Sequence, residues 1–90
     1  MEIGAKILVR GIVQGVGFRY FVYRKAKEMG VQGFVKNRGD GSVYIEAVAG
    51  RPLIEELINS LRGGPREAHV TDVQVEWETP AEQFRDFEIR

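Results

Sequence analysis

The chain has 90 residues, enough for one small domain with a single core. Apolar residues make up 43% and charged residues 29%, the balance of a folded soluble domain rather than a disordered chain. Thirteen Lys and Arg offset thirteen Asp and Glu, so no global field draws the protein to nucleic acid or to a membrane, and any anion binding has to be local.

Cysteine is absent and histidine occurs once. That excludes a disulfide scaffold, a thiol nucleophile and thiolate or multi-histidine metal sites, and it leaves His69 as the only imidazole for a catalytic triad. The apolar runs are too short to cross a bilayer as helices, and the N-terminus lacks the basic-then-apolar layout of a secretory signal. The expectation is a cytoplasmic protein with no membrane partner.

In chain order, alternation predicts a first strand from about Lys6 to Val13. Ile7, Val9, Gly11 and Val13 share one face; Leu8 and Ile12 share the other with Lys6 and Arg10. The run breaks in Gln14-Gly15-Val16-Gly17-Phe18-Arg19, and a helix is predicted over Phe18 to Met29. Its apolar stripe is Phe18, Phe21, Val22, Ala26 and Met29, and Gly30 supplies the stop. Tyr20, Tyr23, Arg24 and Lys27 fall on the outer face. The glycine-rich break permits two readings. It is a tight turn, or it is a cradle for a phosphate or carboxylate, in which the unpaired amides of a helix start act beside the forked donors of Arg19. It is not a Walker loop, because no Gly-Lys-Ser/Thr follows, and Tyr20 stands where a dinucleotide fingerprint needs its third small residue.

A second strand is predicted over Gln32 to Arg38 and a third over Ser42 to Ala49, joined by Gly39-Asp40-Gly41 as a hairpin. Gly33, Val35 and Asn37 share one face of the second strand, so an amide closes a row that calls for another valine. Asn37 is either a turn-adjacent residue or a functional group at the sheet rim. A second helix follows over about Pro52 to Arg62, with Leu53, Ile54, Leu57, Ile58 and Leu61 as its apolar face and Gly63-Gly64-Pro65 as its stop. A fourth strand runs over Val70 to Glu78, with Val73, Val75 and Trp77 on one face. A short last strand runs over Phe84 to Ile89.

This order predicts an α+β, ferredoxin-like βαββαβ sandwich: one domain, an antiparallel sheet with two helices on one face, and a short extra C-terminal strand. Strands one and three then lie side by side at the sheet centre, and Asn37 approaches the glycine-rich turn. RNA-binding domains of the RRM type share the order but need aromatics on the central strands. Ser42-Val43-Tyr44-Ile45-Glu46 offers one aromatic and an acid, so no nucleic-acid partner is expected.

Two long motifs carry a family resemblance. An aliphatic residue followed by x-Gly-x-Val-Gln-Gly-Val-x-Phe-Arg runs from Val9 to Arg19, and Gly-aromatic-Val-x-Asn-x-x-x-Gly-x-Val runs from Gly33 to Val43. Over almost its whole length the chain resembles the acylphosphatases. Phe34 replaces a common tryptophan, and the glycine that ends strand three comes one residue late, at Gly50, a shift that a bulge in that strand would absorb. The resemblance implies hydrolysis of carboxyl–phosphate mixed anhydrides to carboxylate and orthophosphate. It implies that the stretch Gln14, Gly15, Val16, Gly17, Phe18 and Arg19 holds the phosphate, with the amides of Gly15 to Arg19 and the Arg19 side chain as donors, and that Asn37 holds the attacking water. It implies no metal and no cofactor. The alternative is a module that binds phosphate or a carbamoyl-phosphate-like ligand without turnover, since such domains also occur within larger maturation proteins. A chain of 90 residues is expected instead to act alone, as a monomer.

Overall fold

Ala5, Ile7 and Val9 form a buried row, and in the computed structural model, which describes residues 1–80 and 82–90, they lay down the middle of the first strand, β1 (Ile3–Ile12). The remaining elements follow as α1 (Phe18–Met29), β2 (Gln32–Asn37), β3 (Val43–Ala49), α2 (Arg51–Gly63), β4 (His69–Glu78) and β5 (Phe87–Ile89). The sheet order is β4-β1-β3-β2-β5, so β1 and β3 are central. Both helices cover one face, and Val22, Ala26, Ile54, Leu57 and Leu61 are fully buried there against Ile7, Val9, Val35 and Ile45. That is the ferredoxin-like sandwich.

Four details differ from expectation. β1 begins three residues earlier than its apolar alternation, because Ile3 pairs with Ala49 and backbone pairing continues past the patterned stretch. The last strand is confined to Phe87–Ile89 and joins β2 in parallel, with Gly33 opposite Phe87 and Val35 opposite Ile89, so the sheet is mixed rather than antiparallel throughout. Phe84 lies outside it and sets its ring edge-on against Phe34 at 5.9 Å. The strand-three bulge is absent. β3 pairs in unbroken register with both β1 and β2, and Gly50 becomes the N-cap of α2 with extended backbone. The irregularity falls instead between Arg10 and Gly11, where β1 meets β4.

The C-terminal segment is tied down by hydrogen bonds and by one buried ring. Gly33 N–H donates to Asp86 O at 3.0 Å, Arg90 N–H donates to Val35 O at 2.7 Å, and Lys27 Nζ meets both Asp86 carboxylate oxygens at 2.6 and 2.7 Å. Phe87 then fills the core edge under α1. These ties bring Ile89 to the end of the sheet where Asn37 stands.

Candidate active site

Two glycines set the loop between β1 and α1. Gly15 has φ 74° and Gly17 has φ 76°, a left-handed backbone that L side chains adopt at a cost. A Cβ at either position would meet nothing within 4 Å, so the requirement is conformational and the loop stays open on its outer side. Gly17 caps α1 without any side-chain hydrogen bond, and the first helical bond runs from Phe21 N–H to Gly17 O at 3.0 Å. Among the described residues, the N–H groups of Gly15 through Tyr20 donate to no protein acceptor. This is an open helix start with its partial positive charge uncompensated.

That loop lines a cavity of about 230 Å³. Val13 and Phe18, both buried, form its floor. Gly15 and Gly17 contribute backbone, and Arg19 stands in the first turn of α1, exposed and in no ion pair or side-chain hydrogen bond among the described residues. Its fork of donors is therefore free for an anion. Asn37 joins the lining from the end of β2. Its Oδ1 is buried and without a protein hydrogen-bond partner. A buried acceptor of this kind ordinarily finds one, so the Asn37 amide is a polar group beside the cavity that the described residues leave unsatisfied. Tyr20 and Ile89, 59% and 44% exposed, form the rim.

The structure thus brings Gly15, Gly17, Phe18, Arg19 and Asn37 around one cavity. Gln14 and Val16 do not line it. Val16 turns partly against the core. The Gln14 side chain reaches the β2–β3 hairpin, where Nε2 donates to Arg38 O at 2.8 Å and Ser42 O at 2.9 Å. Asp40 closes the hairpin from within by accepting from Ser42 N–H at 3.0 Å and from the Ser42 hydroxyl. Those hydrogen bonds hold its carboxyl below the usual carboxylate range. His69 is exposed at the start of β4, paired with Ile12, and takes no part in the cavity. Among the described residues no three His, Asp or Glu side chains group as a metal site would need.

Sequence reading missed Ile89 and the two hairpin carbonyls. The run Phe84 to Ile89 reads as a short strand, but nothing local shows which strand it joins or in which direction. Carbonyls carry no residue-type signal at all.

Comparison with known proteins covers the same loop and hairpin. A profile of the family described as "Acylphosphatase" matches residues 5–89, which span both. The chain belongs to the acylphosphatase family. It is 51% identical over 85 residues to an acylphosphatase of Thermotoga petrophila, covering 94% of this chain and 93% of that one. Among solved structures, the acylphosphatase of Bacillus subtilis superposes with a TM-score of 0.95 at 36% identity, covering 98% of each chain. A full-length HypF solved in a phosphate- and nucleotide-bound form superposes with a TM-score of 0.87 at 31% identity, covering all of this chain and 12% of that one.

Proposed function

We propose that this protein hydrolyses acyl phosphates to carboxylate and orthophosphate at the cavity between α1 and the β2–β3 hairpin. One observation carries the reading: the loop whose amides donate to no described acceptor, the free Arg19 side chain and the unsatisfied Asn37 amide meet at one small cavity. Amides and Arg19 hold the phosphoryl oxygens. The Asn37 side-chain amide holds the attacking water and aims the water oxygen at phosphorus. The P–O bond to the acyl group breaks as the water P–O bond forms, and the electron pair leaves with the carboxylate. The water's proton passes to a phosphoryl oxygen.

This chemistry fits a site poor in titratable groups. A carboxylate is a stable leaving group at neutral pH and needs no general acid. Phosphoryl transfer has a loose transition state that calls mainly for positioning and charge stabilisation. No step needs the His69 imidazole. The same reading has one domain acting as a cytoplasmic monomer on a small-molecule substrate, its size in solution open to sedimentation.

Hydrolysis of benzoyl phosphate, followed by loss of ultraviolet absorbance, tests the proposal. Turnover inhibited competitively by orthophosphate and by sulfate is expected. The likeness to a phosphate-bound HypF favours one other reading, binding without turnover. Phosphate binding with no hydrolysis would select it.

A further inference from the structure

Three elements have to meet for the cavity to close, and the sheet alone does not join them. The pairing of β1 with β3 ends at Val9 opposite Val43, and that of β2 with β3 ends at Asn37 opposite Val43. Beyond those pairs the cradle loop and the hairpin tip extend separately. Among the described residues, two side-chain links cross the gap. Arg10 and Asp40 approach to 3.7 Å but are about half exposed, and such a pair is a weak and salt-sensitive restraint. The other link is Gln14.

Gln14 sits between Val13 and Gly15, both at the cavity, and its acceptors include the carbonyl of Arg38, the residue next to Asn37. The second acceptor, Ser42 O, also receives Arg38 N–H at 2.9 Å, so one amide group grips both arms of the hairpin where they leave the ladder. The chemistry is restrictive. Two carbonyl oxygens require two hydrogens from one side-chain head, which an NH₂ group supplies. The reversed amide, or a carboxylate, would set oxygen against oxygen. Ser42 is almost wholly buried and held by Asp40, so the accepting end of the link is rigid.

We propose that Gln14 is a positioning residue for Asn37, setting the distance between the water-holding amide and the phosphate cradle while leaving phosphate contacts to the backbone and Arg19. The inference rests on the hydrolytic reading of this site. It separates two effects that a general loss of structure would move together, because the cradle conformation is set by Gly15 and Gly17 and by the start of α1.

A double-mutant cycle on the full chain tests it, using benzoyl phosphate for turnover and orthophosphate inhibition for binding. Gln14→Ala should lower kcat about ten- to a hundredfold, the scale of a small misplacement of a reacting group, and shift the inhibition constant less than about twofold. Gln14→Glu, of equal size, should be at least as damaging. In an Asn37→Ala background the same Gln14→Ala change should alter kcat less than about threefold, because its effect runs through Asn37. Equal factors in both backgrounds, or phosphate binding lost in step with kcat, would overturn the proposal. The Asn37 side-chain amide resonance gives a second readout, expected to move in folded Gln14→Ala; an unmoved resonance would also overturn it. Should the wild type turn over no acyl phosphate, the hydrolytic reading would fall, and the Asn37 resonance would still decide whether Gln14 positions that side chain.

Discussion

Replacing Asn37 with alanine separates function from folding in this protein. The Asn37 side chain makes no hydrogen bond to the protein among the described residues, and its Oδ1 is buried without a protein partner. Alanine therefore removes no protein hydrogen bond, and it relieves a group whose burial without one costs about 1–3 kcal/mol. Against that stands the loss of a few packed atoms at a half-buried position beside Val43. The two terms oppose, so the net change should stay within about 1 kcal/mol, or about 4–8 °C in melting temperature for a domain of this size. Turnover should behave otherwise. Removing one preorganised polar group from a transition state lowers kcat by roughly two to three orders of magnitude. Steady-state hydrolysis of benzoyl phosphate, orthophosphate inhibition and a thermal melt on one sample read all three quantities. The expected pattern is a large fall in kcat, phosphate affinity nearly unchanged and a melting temperature close to wild type. A variant that melts much lower yet turns over normally when folded would make Asn37 a shaper of the hairpin and refute the reasoning.

Arg19→Lys should lose most activity and weaken orthophosphate inhibition, because a compact ammonium cannot reproduce a planar fork on two phosphoryl oxygens; near wild-type kinetics would exclude the bidentate role. His69→Ala should retain most turnover, and a chelator should leave the wild type unaffected, both read in the same absorbance assay. The Lys27 hydrogen bonds and the Phe87 N–H hold the Asp86 carboxyl below its ordinary range, and Asp86 in turn raises the Lys27 pKa. A depressed carboxyl stabilises the fold above its unfolded pKa and loses that contribution as pH falls through the folded value. The raised Lys27 contribution is complete below its unfolded pKa and is lost only in strong alkali. Urea midpoints should therefore show Asp86→Asn less stable than wild type near about pH 7, with the gap closing toward about pH 2 and shrinking in high salt, since the pair is exposed.

Local signals settled the elements of this protein and most of the loop between β1 and α1. Period-two alternation marks β1 and β3, a helical stripe with Gly30 behind it marks α1, and Gly39-Asp40-Gly41 marks the hairpin, because these patterns depend only on neighbours in the chain. The glycines at positions 15 and 17 and Arg19 were legible for the same reason: a left-handed turn and a helix start are local events. Asn37 stood out as an amide in an apolar row. Three things had no local signal. The direction of β5 depends on which edge of the sheet is open and on anchors such as Gly33 N–H to Asp86 O, formed between residues 53 positions apart. Ile89 reaches the cavity rim only through that pairing. The side chain of Gln14, inside a motif suggestive of phosphate, turns instead to two backbone carbonyls more than 20 residues away, and a carbonyl has the same chemistry at every position of the chain. Only the folded backbone decides which carbonyls converge, so tertiary structure alone could assign Gln14 to the hairpin.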